Sequence, residues 1–107
     1  MRPPRISFEG GIYHVTVRCN NQEFFFQDKS DFLLYKDVLL ASKKKYEVLV
    51  HAYCITNNHV YLLVGTPYND NLSKFMQKLN GEYARKYNKA HGKTGRFWGG
   101  RFHSVVV

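Results

Sequence analysis

His59 and Tyr61 sit two residues apart in the alternating run His59-Val-Tyr-Leu-Leu-Val-Gly65. Residues two apart on a strand project from the same side, so His59 and Tyr61 share one face and Val60, Leu62 and Val64 share the other. Two donors at this spacing are what one strand can offer a metal ion, with a neutral imidazole as the nitrogen ligand. A strand histidine also serves as an ordinary structural residue, so spacing leaves both roles open. His51 and Tyr53 of the preceding run join the same face if the register sets the two strands alongside. His14, His91 and His103 stand alone. No GxSxG, HExxH, P-loop or paired-cysteine pattern occurs, which leaves acyl transfer, zinc proteolysis and nucleotide hydrolysis without support.

The second kind of chemistry is electrostatic. The 107 residues include 16 Lys and Arg against 8 Asp and Glu, a formal charge of +8. From Met1 to Asp70 eight basic residues nearly balance seven acidic ones, whereas from Asn71 to Val107 eight basic residues face one acid, Glu82. Nearly all of the net charge therefore lies in the last third, a segregation that points to a polyanion rather than to an evenly solvated surface. Aromatic residues are interleaved with it in Arg96-Phe-Trp-Gly-Gly-Arg-Phe102. Phosphates are held by Lys and Arg, and exposed rings stack on unpaired bases. Trp98 fits either stacking or core anchoring, and Phe102 fits the core better.

The elements that must position these groups are legible from periodicity. Ile12 to Arg18 alternates, with Tyr13, Val15 and Val17 on one face and His14, Thr16 and Arg18 on the other. Phe24-Phe25-Phe26 is a short apolar patch. A helix is expected from an N-cap at Ser30 or Asp31, carrying Phe32, Leu33, Tyr35, Val38, Leu39 and Ser42 and ending at Lys43-Lys44-Lys45, whose charges suit the negative end of the helix dipole. Val48–Ile55 and His59–Gly65 form an antiparallel hairpin across Thr56-Asn57-Asn58. From Leu72 to Ala90, at about 100° per residue, Leu72, Phe75, Met76, Leu79, Tyr83, Tyr87 and Ala90 make one stripe, and Lys74, Lys78, Arg85 and Lys89 lie nearly opposite as a basic ridge. Arg101 to Val107 reads as a last strand. The order strand, helix, strand, strand, helix, strand predicts an α+β, ferredoxin-like antiparallel sheet with both helices on one face, in a single domain spanning residues 1–107. Cys19 and Cys54 are too few for a disulfide framework and read as reduced thiols. With no membrane span or signal segment in view, the expectation is a cytoplasmic protein without a membrane partner.

Four segments resemble the HUH single-tyrosine transposases, above all the REP-associated branch. They are Tyr13-His-Val-Thr-Val-Arg-Cys-Asn20, Ala52-Tyr-Cys-Ile-Thr-Asn-Asn-His-Val-Tyr-Leu-Leu-Val64, Leu72 through Asn88, and Gly95-Arg-Phe-Trp-Gly-Gly-Arg-Phe-His-Ser104. The resemblance implies a domain that binds single-stranded or hairpin DNA, works as a homodimer, and belongs to mobile-element DNA recombination. In active members two histidines around one hydrophobic residue hold Mg or Mn against the scissile phosphate. A tyrosine attacks that phosphate, giving a 5′-phosphotyrosine link and a free 3′-hydroxyl.

His59 falls on the first histidine position and Tyr61 on the second. A neutral phenol is a poor ligand for a hard divalent ion, so metal affinity is expected to be weak or absent. The family's nucleophilic tyrosine lies on a helix after the strand that here contains Arg101 to Ser104, beyond Val107. The helical tyrosines within the chain, Tyr83 and Tyr87, fall on the core stripe, which argues against either as nucleophile. Cys19 replaces a common Gly and Asn57 a common Pro. The DNA-binding set expected to remain is Arg18, Lys74, Lys78, Arg85, Lys89, Arg96, Trp98 and Arg101. Two functions stand: a transposase that cuts and rejoins DNA, and a non-catalytic DNA-binding remnant of one. An RNA-binding module is less favoured, because the usual sheet-stacking aromatics are missing from the central strands.

Overall fold

A computed structural model describes residues 7–22 and 25–107. Four strands, β1 (Gly11–Arg18), β2 (Leu49–Ile55), β3 (His59–Thr66) and β4 (His103–Val106), alternate with α1 (Lys29–Tyr46) and α2 (Leu72–His91) in the expected βαββαβ order. The sheet order is β2-β3-β1-β4, and every pairing is antiparallel. A one-turn 3₁₀ helix, Asn20–Gln22, follows β1. Phe24 of the apolar patch lies outside the described residues; Phe26 is buried in the core.

Alternation in β1 and β3 decides which face is covered. Tyr13, Val15, Val17, Val60, Leu62 and Val64 are buried beneath the helices together with Leu72, Phe75, Met76, Leu79, Tyr83 and Tyr87 of α2. The α2 stripe is as predicted except for Ala90, which is exposed. Leu33 of α1 is also exposed. The helix begins earlier than expected, with Asp28 as its N-cap. Asp31 is its third residue, and the carboxylate turns back to accept the backbone N–H groups of Gln27 and Asp28. Its other oxygen meets Nε2 of His91 at 2.7 Å, joining the start of α1 to the end of α2. Lys43, Lys44 and Lys45 do occupy the last turn of α1.

Gly92 ends α2 in the left-handed region, φ +63°, where a residue without Cβ is unstrained. The chain then returns to β4 through a segment pinned by Phe97 and Trp98. Trp98 bridges Cys19 in a short antiparallel contact and donates its indole N–H to the carbonyl of Asn80 on α2 at 2.8 Å. Burial pushes the Cys19 thiol up to about 12, so it stays protonated at neutral pH. Among the described residues no helix is long and apolar enough to cross a membrane.

Candidate nucleic-acid interface

The face of the sheet turned away from the helices collects the sequence's strand histidines. Cross-strand register sets Cys54, Tyr61, Thr16 and His103 in one row and Ala52, Leu63, His14 and Val105 in the next, with Arg18 opposite His59. His59 donates from Nδ1 to Oδ1 of Asn58 at 2.8 Å, because the amide oxygen can only accept. That bond orients the ring, with Nε2 on the side away from Asn58. The rings of His59 and Tyr61 are nearly parallel, 11° apart with centroids 5.9 Å apart, and His14 lies 6.4 Å from Tyr61 on the cross-strand side at 29°.

His51 and Tyr53 do not join this group. The register that runs from the turn sets Cys54 opposite Tyr61, and a β-bulge between Val50 and Ala52 shifts the pairing only beyond that point. Tyr53 pairs with Leu62 and takes the helix side. His51 lies over Gly65, at the far end of β3 from His59: a Cβ on Gly65 would meet its Nε2 at 2.8 Å. Strict alternation could not reveal this, because which face a strand's odd or even residues take is set by the cross-strand register, and an inserted residue changes how far along the face each one sits.

The donor set does not suit a hard divalent ion. His59 and Tyr61 offer one imidazole and one phenol, and the strand residues of this face include no carboxylate. Among the described residues no three His, Cys, Asp or Glu side chains converge. Mg and Mn favour several oxygen ligands, at least one of them charged.

Tyr83 and Tyr87 are where the α2 stripe predicted, in the core. The Tyr83 hydroxyl donates to the Asp31 carbonyl at 2.9 Å and that of Tyr87 to the Phe25 carbonyl at 3.0 Å. Burial, reinforced by the nearby Asp31 carboxylate, raises the ionisation range of both above the ordinary phenol. Groups so held have neither the access nor the ionisation that attack on a phosphate requires.

The basic residues divide between two surfaces. Arg18 belongs to the open sheet face. The ridge of Lys74, Lys78, Arg85 and Lys89 lies opposite the stripe that α2 buries against the sheet, so it points away from that face. Glu82 sits within the ridge and bridges Lys78 at 3.4 Å, Lys86 at 3.7 Å and Arg85. Desolvation works to raise the Glu82 carboxyl, but the Lys78 hydrogen bond and the Arg85 and Lys78 charges outweigh it and hold it below the ordinary range. Lys86 was not singled out from sequence; its i,i+4 spacing from Glu82 was the available signal. Glu82→Gln is expected to release these three cations, tighten DNA binding and steepen its log–log salt dependence by about one unit, as measured by titrating a labelled oligonucleotide at several salt concentrations.

Arg96 and Arg101, both exposed, flank an open cleft of about 380 Å³ between α2 and the segment before β4, lined also by Asn80, Gly81, Ala84 and Trp98. Trp98 forms its inner wall at 9% exposure. Its packing among Phe26, Tyr83 and Phe97, together with the bond to Asn80, makes it the core anchor rather than an exposed stacking ring.

The fold is that of a ferredoxin-like α+β domain with an open, histidine-bearing sheet face. The family model described as "Transposase IS200 like" matches residues 7–107, and the chain belongs to that family. A REP-associated tyrosine transposase, solved bound to a REP hairpin, aligns with a TM-score of 0.79 at 16% identity over 100% of this chain and 62% of that one. A candidate transposase from Deinococcus radiodurans R1 aligns with a TM-score of 0.76 at 20% identity over 100% of this chain and 86% of its own. The chain thus spans less than two thirds of the hairpin-bound relative. No curated protein matches it significantly.

Proposed function

We propose that this chain is a DNA-binding domain of the IS200-like transposase type, recognising single-stranded or hairpin DNA. The observation that carries the reading is the segregation of charge: eight basic residues against one acid after Asp70, four of them ranged along the solvent side of α2. The alignment with a hairpin-bound transposase supports the same ligand class. Arg18, Arg96 and Arg101 supply further phosphate contacts, and Trp98 holds the arginine-bearing segment against α2.

Cutting and rejoining through a metal-assisted 5′-phosphotyrosine intermediate is the second reading. His59 favours it, since its ring is oriented by Asn58. Tyr61 and the burial of Tyr83 and Tyr87 oppose it, and favour a non-catalytic domain whose nucleophile helix is not among residues 1–107. The two separate in one incubation of protein, labelled single-stranded DNA and Mg or Mn, resolved under denaturing conditions. The domain as described is expected to yield no covalent protein–DNA band. A band abolished by mutating one tyrosine would establish cleavage by this chain. Homodimerisation through a sheet edge belongs to the proposal; β4, a four-residue edge strand with Val105 and Val106 exposed, is one such edge. A sedimentation coefficient independent of concentration and equal to that of a monomer would count against it.

A further inference from the structure

We infer that the open sheet face is a stacking platform for an unpaired nucleobase, built from Tyr61 with His14 and His59, at the place where the family resemblance would put a metal. The inference rests on the proposed binding of single-stranded DNA and names what one part of that DNA touches. Three flat rings stand in a row across the two central strands, His59 and Tyr61 successive on β3 and His14 on β1, with inter-ring angles of 11° and 29°. Base stacking needs a flat π surface, and it accepts any base because every base has one. Histidine and tyrosine both serve as such surfaces for unpaired nucleotides.

Charge selects the occupant. The strand residues of this face include Arg18, His14, His59 and His103 and no acid, so the face offers donors and positive charge to a polyanion. Arg18 lies directly across from His59, where a phosphate flanking a stacked base would be met by a guanidinium. The substitution that spoils the metal site is the one that makes the platform. A phenol ring is a weak ligand for a hard cation, but it carries more stacking surface than the imidazole it replaces. The aromatic surface that the sequence did not show on the central strands comes from residues that read there as ligand candidates.

The test uses the whole chain with a chelator present. Its probes are a labelled oligothymidylate and an abasic strand of the same length. Wild-type protein is expected to bind the thymidylate about five- to a hundredfold more tightly than the abasic strand, the range for loss of one stacked base. Tyr61→Ala should weaken thymidylate binding by a similar factor and leave abasic binding unchanged, while Tyr61→Phe stays within about twofold of wild type. Equal affinity of wild type for both strands would overturn the platform and leave single-strand binding standing, a result that needs no variant to fold. Loss in Tyr61→Phe as large as in Tyr61→Ala would assign the work to the hydroxyl and also overturn it. Failure of wild type to bind either strand would overturn the platform and the proposed function together.

Discussion

Tyr83→Ala is expected to lose about 3 to 5 kcal/mol of folding stability, the cost of removing a large aromatic from a close-packed core. Its ring is the centre of the aromatic cluster: Phe26 stacks on it at 5.4 Å and 10°, and Tyr35, Phe97 and Trp98 meet it at 5.1, 5.2 and 6.3 Å. Those contacts tie α1, α2, the Phe26 segment and the segment before β4 into one core, so the cavity left by truncation cannot close by moving a single element. Against a total stability of about 5 to 15 kcal/mol for a domain, this one change would leave little margin. Tyr83→Phe keeps the ring and loses only the bond to the Asp31 carbonyl, so about 1 kcal/mol is expected. Urea denaturation of the two variants gives both numbers. The pair also separates ring packing from the hydroxyl, because Tyr83→Phe keeps every ring contact that Tyr83→Ala removes.

Replacing Lys74, Lys78, Arg85 and Lys89 together by Ala should reduce the log–log salt slope of single-stranded DNA binding by about two to three units. Each phosphate neutralised on a single strand releases about 0.7 of a counterion, and Glu82 already offsets part of what Lys78 and Arg85 supply. At about 0.1 M salt the loss of affinity should be on the order of a hundredfold or more. Three of the four side chains are exposed and none contributes to the buried stripe, so the fold should survive. Lys43, Lys44 and Lys45 provide the control. They are three charges on the last turn of α1, where they complement the helix dipole, and their replacement should leave the affinity nearly unchanged. An oligonucleotide titration across salt concentrations that found both variants alike would replace a localised interface with a diffuse field.

The sequence carried the fold because its elements are locally consistent. The α2 periodicity alone puts Tyr83 and Tyr87 in the core, and the alternation of β1 and β3 assigns each residue to its face. Three features escaped. The hairpin register turned Tyr53 to the helix side, because facing is set by cross-strand pairing and not by the strand's own pattern. The cap of α1 is Asp28 because Asp31, though a good cap by type, is drawn inward by His91 and by two backbone N–H groups. Trp98 became an anchor because the carbonyl of Asn80 is within reach of its indole N–H, a contact across 18 residues that spacing cannot announce. The site was legible as residue types and not as a surface. Arg18 and the α2 ridge share a sign of charge, but they lie on opposite layers of the domain.

Binding of unpaired DNA through the basic surface, as proposed, should not need a metal. Affinity for a labelled single-stranded oligonucleotide across a salt series, with and without a chelator, measures both. Tight binding is expected at low salt, with a steep log–log decline as several counterions are displaced and the same curve in both conditions. Binding that vanishes on chelation, or that is weak and indifferent to salt, would contradict it.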